Sequence, residues 1–425
     1  MSEYQLPGPA GHHLSSLTAG RRHRILPHLS PLLLTPLFIG SLLVTACGPE
    51  RGPADMSRET LASGIVRTTW HRLPQTQLTL DTLAVWDIWS ETGEYVFGDI
   101  EAMTGGDRGF YLLDAGNRQV VLVDRQGEVQ LAFGREGSGP GEFQYPLSIS
   151  LRTDEIWVGD LAAGRYSVFD IEGNFLRSVI WPSRGGRTAS RSIVITPDDR
   201  ELRRSPSMIE GWMALIRSTL DGSEVDTIAT MRTAPASGAT INLPTLGATT
   251  MYDPPAYSPE LRWAHTPDGR ILTVTSGNYL IEERDPDGTL RGELMSPTPD
   301  LTVTPADREA YLVRLARMFD VPVDDFRKDN PRFVTQYAFA EQRAAIENIT
   351  VDPQGRIWVL ANIPENTGQR LDLFDADFTF LGSLSDLPLP SAFLPGGEAL
   401  FRIAAPETGE DLFFVARVED TGRDS

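Results

Sequence analysis

From Val66 onward the chain is built of short, strand-like apolar runs, some continuous and some alternating with polar residues. Examples are Gln77–Val85 (QLTLDTLAV), Gly109–Leu113 (GFYLL), Val120–Val123 (VVLV) and Ile156–Val158 (IWV), each closed off by Gly, Asp or Pro. Runs of this length with turn residues at both ends predict β-strands joined by tight turns. The runs also repeat. GFYLLDAGNRQVVLVDRQGEVQLAFG, starting at Gly109, aligns with EIWVGDLAAGRYSVFDIEGNFLRSV, starting at Glu155. Asp114 then meets Asp160, Asp124 meets Asp170 and Gly127 meets Gly173, all at an offset of 46 residues. A constant period of this size means stacked units, none of which buries its own faces alone. Weaker copies cover Ser192–Ala229, Arg262–Leu294 and Asn348–Leu384, where Asp285-x-x-Gly288 keeps the turn and Phe378 replaces its glycine. Phe401–Val418 is half a unit, which brings the total to about six. Pairing that half unit with the strand at Gln77–Val85 would close a ring and leave no free sheet edge.

One segment, about 303–346, breaks the β pattern. Thr304-Pro305 reads as a helix start, Leu312, Leu315 and Phe319 recur at helical spacing, and Pro322 ends the run. A second helix is expected from Phe333 to Ile346. The insert should either pack on the rim of the ring or form a lid over its mouth.

The glycine-rich stretch AFGREGSGPGEFQYP, Ala132–Pro146, lies between two of the clearest units. It lacks the Gly-Lys-Ser/Thr end of a phosphate loop, has Glu142 where a dinucleotide fingerprint needs its third glycine, and is followed by a strand rather than a helix. It reads as a corner between units, with Phe143 tucked between them and Pro146 opening the next strand. Gly141, Phe143 and Pro146, followed by Asp160, Arg165, Phe169 and Asp170, resemble the NHL repeat. Arg370, Phe374 and Asp375 match it again, whereas Gln119 stands where the repeat has Arg. The resemblance covers most of the chain after about residue 105. It implies an all-β fold, a six-bladed β-propeller with a small helical insertion between late blades, and its nearest group is the bacterial six-bladed propeller lipoproteins. That group implies no single activity.

The N-terminus carries a different message. Arg21, Arg22 and Arg24 precede an apolar run from Leu32 to Val44, which is short and broken by Pro36. This is the pattern of a secretory signal, too short for a comfortable membrane span. It ends in Val44-Thr45-Ala46-Cys47, which resembles the bacterial lipobox. Cys47, the only cysteine in the chain, would be the lipidated first residue of the mature protein. The first twenty residues add nothing to this signal, so translation is expected to start further in. The expected organisation is a lipoprotein signal peptide at 1–46, a flexible tether at 47–64 and the propeller at 65–425. The expected location is the cell envelope, lipid-anchored, with Gly48 rather than Asp after the cysteine favouring the outer membrane. No disulfide can form within the mature chain.

Formal net charge is −20, and loss of the first 46 residues would make it more negative. That argues against nucleic acid and against a polybasic grip on lipid, so contact with the membrane is expected only through the anchor. Catalytic signals are sparse. His71 and His265 are the only histidines of the mature chain, and neither sits in a metal-spaced pair. Asp285-Pro-Asp287-Gly288 and Asp352-Pro-Gln-Gly355 suggest Ca²⁺ loops, but their recurrence at equivalent positions reads as hairpin turns. Phe110, Trp157 and Trp358 fall at equivalent strand positions and read as inter-blade core. The expected function is a lipid-anchored, extracytoplasmic, monomeric binding or scaffold module for a protein, peptide or glycan partner. No cofactor and no catalytic residue is assigned. The alternative is a channel-site metal-dependent hydrolase or lyase of lactonase type, holding Ca²⁺ or another divalent metal.

Overall fold

The structure is a computed structural model that describes residues 55–87, 95–181, 193–196, 198–207, 211–234, 236–243, 247–319, 321–364, 368–404 and 411–419. The signal segment and Cys47 lie outside the described residues.

The described chain opens with a hairpin, β1 (Met56–Thr60) and β2 (Val66–Trp70), followed by β3 (Leu80–Asp87). Blade 1 then comprises β4 (Ile100–Gly106), β5 (Gly109–Asp114), β6 (Gln119–Val123) and β7 (Val129–Phe133). Blade 2 comprises β8 (Pro146–Arg152), β9 (Glu155–Asp160), β10 (Arg165–Asp170) and β11 (Phe175–Ile180). Blade 3 comprises β12 (Ile193–Ile195), β13 (Arg200–Ser207), β14 (Trp212–Thr219) and β15 (Val225–Arg232). A hairpin insertion follows, β16 (Ser237–Leu243) and β17 (Gly247–Asp253). Blade 4 is β18 (Arg262–His265), β19 (Ile271–Val274), β20 (Leu280–Arg284) and β21 (Leu290–Met295). Three helices come next, α1 (Pro305–Met318), α2 (Val323–Asp329) and α3 (Pro331–Gln336). Blade 5 is β22 (Ile346–Val351), β23 (Ile357–Asn362), β24 (Gln369–Phe374) and β25 (Phe380–Ser385). Blade 6 begins with β26 (Ala392–Phe393), β27 (Ala399–Ala404) and β28 (Asp411–Val418).

Each blade is an antiparallel meander of four strands, so the chain forms a six-bladed β-propeller. Blade 6 takes its outer strand from the start of the chain: β3 pairs antiparallel with β28, from Leu80–Val418 to Asp87–Leu412. The half unit at the C-terminus is thus completed by the N-terminal strand, as the repeat count requires.

Packing between blades explains the repeat. Phe110, Trp157 and Trp358 are fully buried, each with the apolar residues of a neighbouring blade or of its own face. Phe143 is completely buried among Tyr111, Val120 and Phe133 of blade 1 and Ile149, Val158 and Phe169 of blade 2. The turn between the third and fourth strands is the same in four blades. Asp124, Asp170 and Asp375 each accept the backbone N–H groups two and four residues on. Gly127, Gly173 and Gly288 hold φ of 82°, 82° and 91°. These carboxylates are spent on turn geometry. Asp352 is not at the equivalent position expected from Asp285: it lies in the first-to-second-strand turn of blade 5, where it accepts from the backbone of Gln354 and Arg356 and from the side chains of Arg356 and Trp358.

Phe378 occupies the left-handed turn position at φ 63°, where glycine is normally preferred. Its ring is buried with Trp70 and Phe380, and its carbonyl accepts the Trp70 Nε1–H at 3.0 Å. A side chain is tolerated there because the N-terminal hairpin covers it.

That hairpin also corrects the expected tether. Residues 55–64 are not free: β1 pairs with β2, and β2 adds in parallel to the outer strand of blade 4. MSRET has no apolar alternation, so the pattern did not reveal it; β1 is held by backbone pairing with its exposed side chains outward. The second helix also differs from expectation. In place of one helix from Phe333 to Ile346 there are α2 and α3, and α3 ends at Gln336. Asn330-Pro331 breaks the run, because the residue before proline is pushed out of the helical region. After α3, Phe339 and Gln342 make isolated β-bridges to Ala256 and Thr302, and Ile346 opens the inner strand of blade 5.

Candidate functional site

The strand directions put the blade-to-blade connections and the second-to-third strand loops on one face of the ring, here the upper face. Both insertions emerge there, on the connections before and after blade 4. They share a core of their own in which Ile241 and Leu243 of β16 pack against Leu312, Leu315, Phe326 and Phe333 of the helices. The apolar stripe predicted for α1 faces this core. Thr304 and Asp307 cap α1 reciprocally. The base of the cap is fastened at Ala256, whose N–H donates to the Ala338 carbonyl and whose carbonyl accepts from Ala340 N–H, both at 2.9 Å.

Between this cap and the upper edges of blades 4, 5 and 6 lies a cleft of ≈ 830 Å³, within the size range of small-ligand sites. Asp307, Ala310 and Arg314 of α1 form one wall. Arg262 at the start of β18, Glu347 on β22, Asn362 at the end of β23 and Arg402 on β27 form the other. The insert is therefore part of the wall over the ring's mouth.

Charges in the cleft are largely matched. Glu260 Oε2 lies 2.7 Å from Arg204 and 3.1 Å from Arg262, linking blades 3 and 4. Arg262 reaches on to Glu347 at 3.8 Å, and Asn362 Nδ2 donates to Glu347 at 3.3 Å and to the Ala344 carbonyl at 2.8 Å. Arg402 donates to the Ile100 carbonyl at 2.7 Å and to Asp411 at 2.5 Å, tying blade 6 to blade 1. Arg343 is nine-tenths buried; it donates to the Ile363 carbonyl at 3.0 Å, and its Nε stands 3.8 Å from Asp307 with no hydrogen-bond partner among the described residues.

Arg314 is different. Its guanidinium lies over the rings of Tyr257 and Tyr311, 5.7 and 5.6 Å from their centroids, and no carboxylate of the described residues lies within 4.0 Å of it. Contact with aromatic faces orients a guanidinium, and its five N–H donors leave some to offer a ligand. Tyr257 is itself held at φ 65°, beside the zipped Ala256, with its hydroxyl donating to the Asp307 carbonyl at 2.7 Å. Burial pushes its phenol above the usual tyrosine range, with the nearby Arg314 pulling the other way. A non-glycine residue in that conformation costs free energy that the surrounding contacts must offset.

The two histidines are not brought together, and neither lines the cleft. His71 is exposed, with Nε2 3.2 Å from Ser57 Oγ. His265 ends the inner strand of blade 4, where burial lowers its pKa. Asp114 and Asp160, the repeat aspartates, are buried and accept backbone N–H groups from the adjoining connections. Arg165 donates to the carbonyls of Ser138, Gly139 and Glu142, so the glycine-rich loop is a corner clamped from the next blade. Its own N–H groups are engaged, Gly137 with the Phe143 carbonyl and Gly139 with Glu142. The cleft residues that sequence reasoning missed come from separate connections and strand ends, and their spacing carries no motif.

No family model matches the chain, and neither does any curated protein. Solved structures do resemble it. A Bacteroides fragilis protein thought to be exported is 11% identical, with a TM-score of 0.46 over 84% of this chain and 99% of that one. A duf4221 family member from Bacteroides vulgatus is 11% identical, with a TM-score of 0.48 over 81% and 99%. A Xanthomonas campestris gluconolactonase is 12% identical, with a TM-score of 0.40 over 76% and 88%. At these identities the likeness concerns the fold alone.

Proposed function

We propose that this chain is an exported, lipid-anchored propeller with NHL-like repeats that binds a small ligand in the cleft beneath its cap. The observation that carries the reading is the ≈ 830 Å³ cleft walled jointly by the ring and the cap, with an oriented, unneutralised arginine at its wall. The cap has its own core and is fastened at its base, so the cleft is built in advance of any ligand, which lowers the ordering cost of binding. Glu260, Asp307 and Glu347 each face an arginine. That arrangement suits recognition more than the gathering of carboxylates around a cation that a lactonase-type site needs. Cys47 carries the anchor, facing the periplasm or exterior at the outer membrane, and the protein acts as a monomer.

Two experiments test this. Metabolic labelling with a radioactive fatty acid should mark the wild-type protein and not Cys47→Ala; unlabelled wild-type protein would end the anchoring proposal. A thermal-shift screen of sugars, organic acids and short peptides should yield ligands whose effect is lost in Ser258→Trp, which places an indole in the cleft. Ligands that bind this variant unchanged would place the binding elsewhere.

A further inference from the structure

We infer that the cleft recognises a small, hydrophilic monocarboxylate of the sugar-acid type, with Arg314 taking the carboxylate. This rests on reading the cleft as the binding site and specifies the ligand it takes. Among the cations that line it, Arg262 faces Glu260 at 3.1 Å, Arg402 is held by Asp411 at 2.5 Å, and Arg343 is drawn toward Asp307 and a backbone carbonyl. Arg314 alone has no carboxylate of the described residues within 4.0 Å; it lies over the Tyr257 and Tyr311 rings and close enough to the Tyr257 hydroxyl to oppose the rise of its pKa. A guanidinium has five N–H donors, and with no carboxylate taking them Arg314 keeps donors that can fork onto a ligand carboxylate.

Charge sets the valence. Arg262, Arg314, Arg343 and Arg402 share the lining with Glu260, Asp307, Glu347 and Asp386, so the cleft carries no excess positive charge and an anion with a single charge is repelled least. A phosphate monoester, carrying about −1.5 to −2 at neutral pH, would bring excess charge toward those carboxylates. The rest of the lining argues for hydroxyls. Ser258, Asn362 and Gln369 offer hydrogen-bond groups, and Leu387, Pro388 and Ile403 supply apolar patches. That mixture suits the polar edge and apolar face of a sugar ring. Arg343, nine-tenths buried with an unpartnered Nε–H, lines the same space as a further donor.

The test is calorimetric titration of the full-length protein in detergent with four probes: D-glucuronate, D-glucose 6-phosphate, D-glucose and D-glucosamine. Glucuronate should bind at least tenfold more tightly than glucose, and glucose 6-phosphate should bind less tightly than glucuronate. Arg314→Gln should weaken glucuronate by about 10- to 100-fold, the usual worth of a charge-assisted hydrogen bond, and leave glucose unchanged. Equal affinity for the neutral or cationic sugar, a preference for the phosphate, an unaffected Arg314→Gln variant, or no heat with any probe would each overturn the inference. Ser258→Trp separates the two readings. If sugars bind without charge preference and this variant abolishes binding, the cleft stands and the monocarboxylate falls. If this variant changes nothing, the cleft itself is not the site.

Discussion

Replacing Phe143 with alanine tests the seam between blades 1 and 2 directly. The ring is completely buried, 5.7 Å from the ring of Phe169 at an interplanar angle of 59°. A phenylalanine that buries roughly 150–250 Å² at about 25 cal/mol per Å² gains at most about 4–6 kcal/mol. Keeping Cβ while losing the ring should cost about 3–5 kcal/mol, cavity term included. Collapse around the void is restricted. The Phe143 backbone is fixed by its N–H to the Arg135 carbonyl at 2.8 Å and its carbonyl to Gly137 N–H at 3.0 Å, and its cavity walls are strands of two blades. The assay is equilibrium urea unfolding, read as a midpoint shift at unchanged slope. Tyr145→Ala, two residues away and 47% exposed, should stay within about 0.5 kcal/mol. A loss below about 1 kcal/mol for Phe143→Ala, or equal losses for the two variants, would refute the placement of this residue as an inter-blade plug.

Two other perturbations address the loop and the pH response. Arg165→Met removes the donor to three carbonyls of the glycine-rich corner and should cost about 1.5–3 kcal/mol, with faster hydrogen exchange at Gly137 and Phe143; unchanged exchange would mean the loop holds itself. His265 has a folded pKa lowered by burial, against the pull of Asp268 and Asp198. The unfolded chain therefore binds its proton first, and the stability this group contributes is lost as pH falls below about 6.5 toward the folded value. His265→Gln should flatten that part of the urea-midpoint profile, and an imidazole that titrates by NMR at or above 6.5 would contradict the burial.

The architecture was legible because it is written several times. Asp124 and Gly127 recur as Asp170 and Gly173 because the same hairpin must be made in each blade, and the same φ of 82° at both glycines is the physical content of that repetition. Closure was legible because half a unit at one end needs a strand from the other. The β1–β2 hairpin was not, since MSRET makes its pairing with backbone groups that any sequence possesses. The cleft was not legible either. Arg314 looks like a polar residue between Leu312 and Leu315 of an amphipathic helix, and only the fold brings Tyr257 beneath it. Asn362 falls at the strand end where earlier blades carry Asp114 and Asp160, so the one deviation from the repeat that faces the cleft was hidden as an imperfect copy.

The pairing of β3 with β28 has a consequence for how the molecule comes into being. The strand that seals the ring is among the first made, and its partner is among the last. Contacts this distant along the chain form slowly, since their entropy cost falls due before any gain. A chain interrupted before Val418 presents two open sheet edges, at β3 and at its last strand, where the finished chain presents none at that seam. Unpaired edges invite aggregation and proteolysis. The seam thus distinguishes complete from incomplete copies: only a chain made through its final strands can close the ring, and an unfinished one keeps the open edges on which aggregation and proteolysis act.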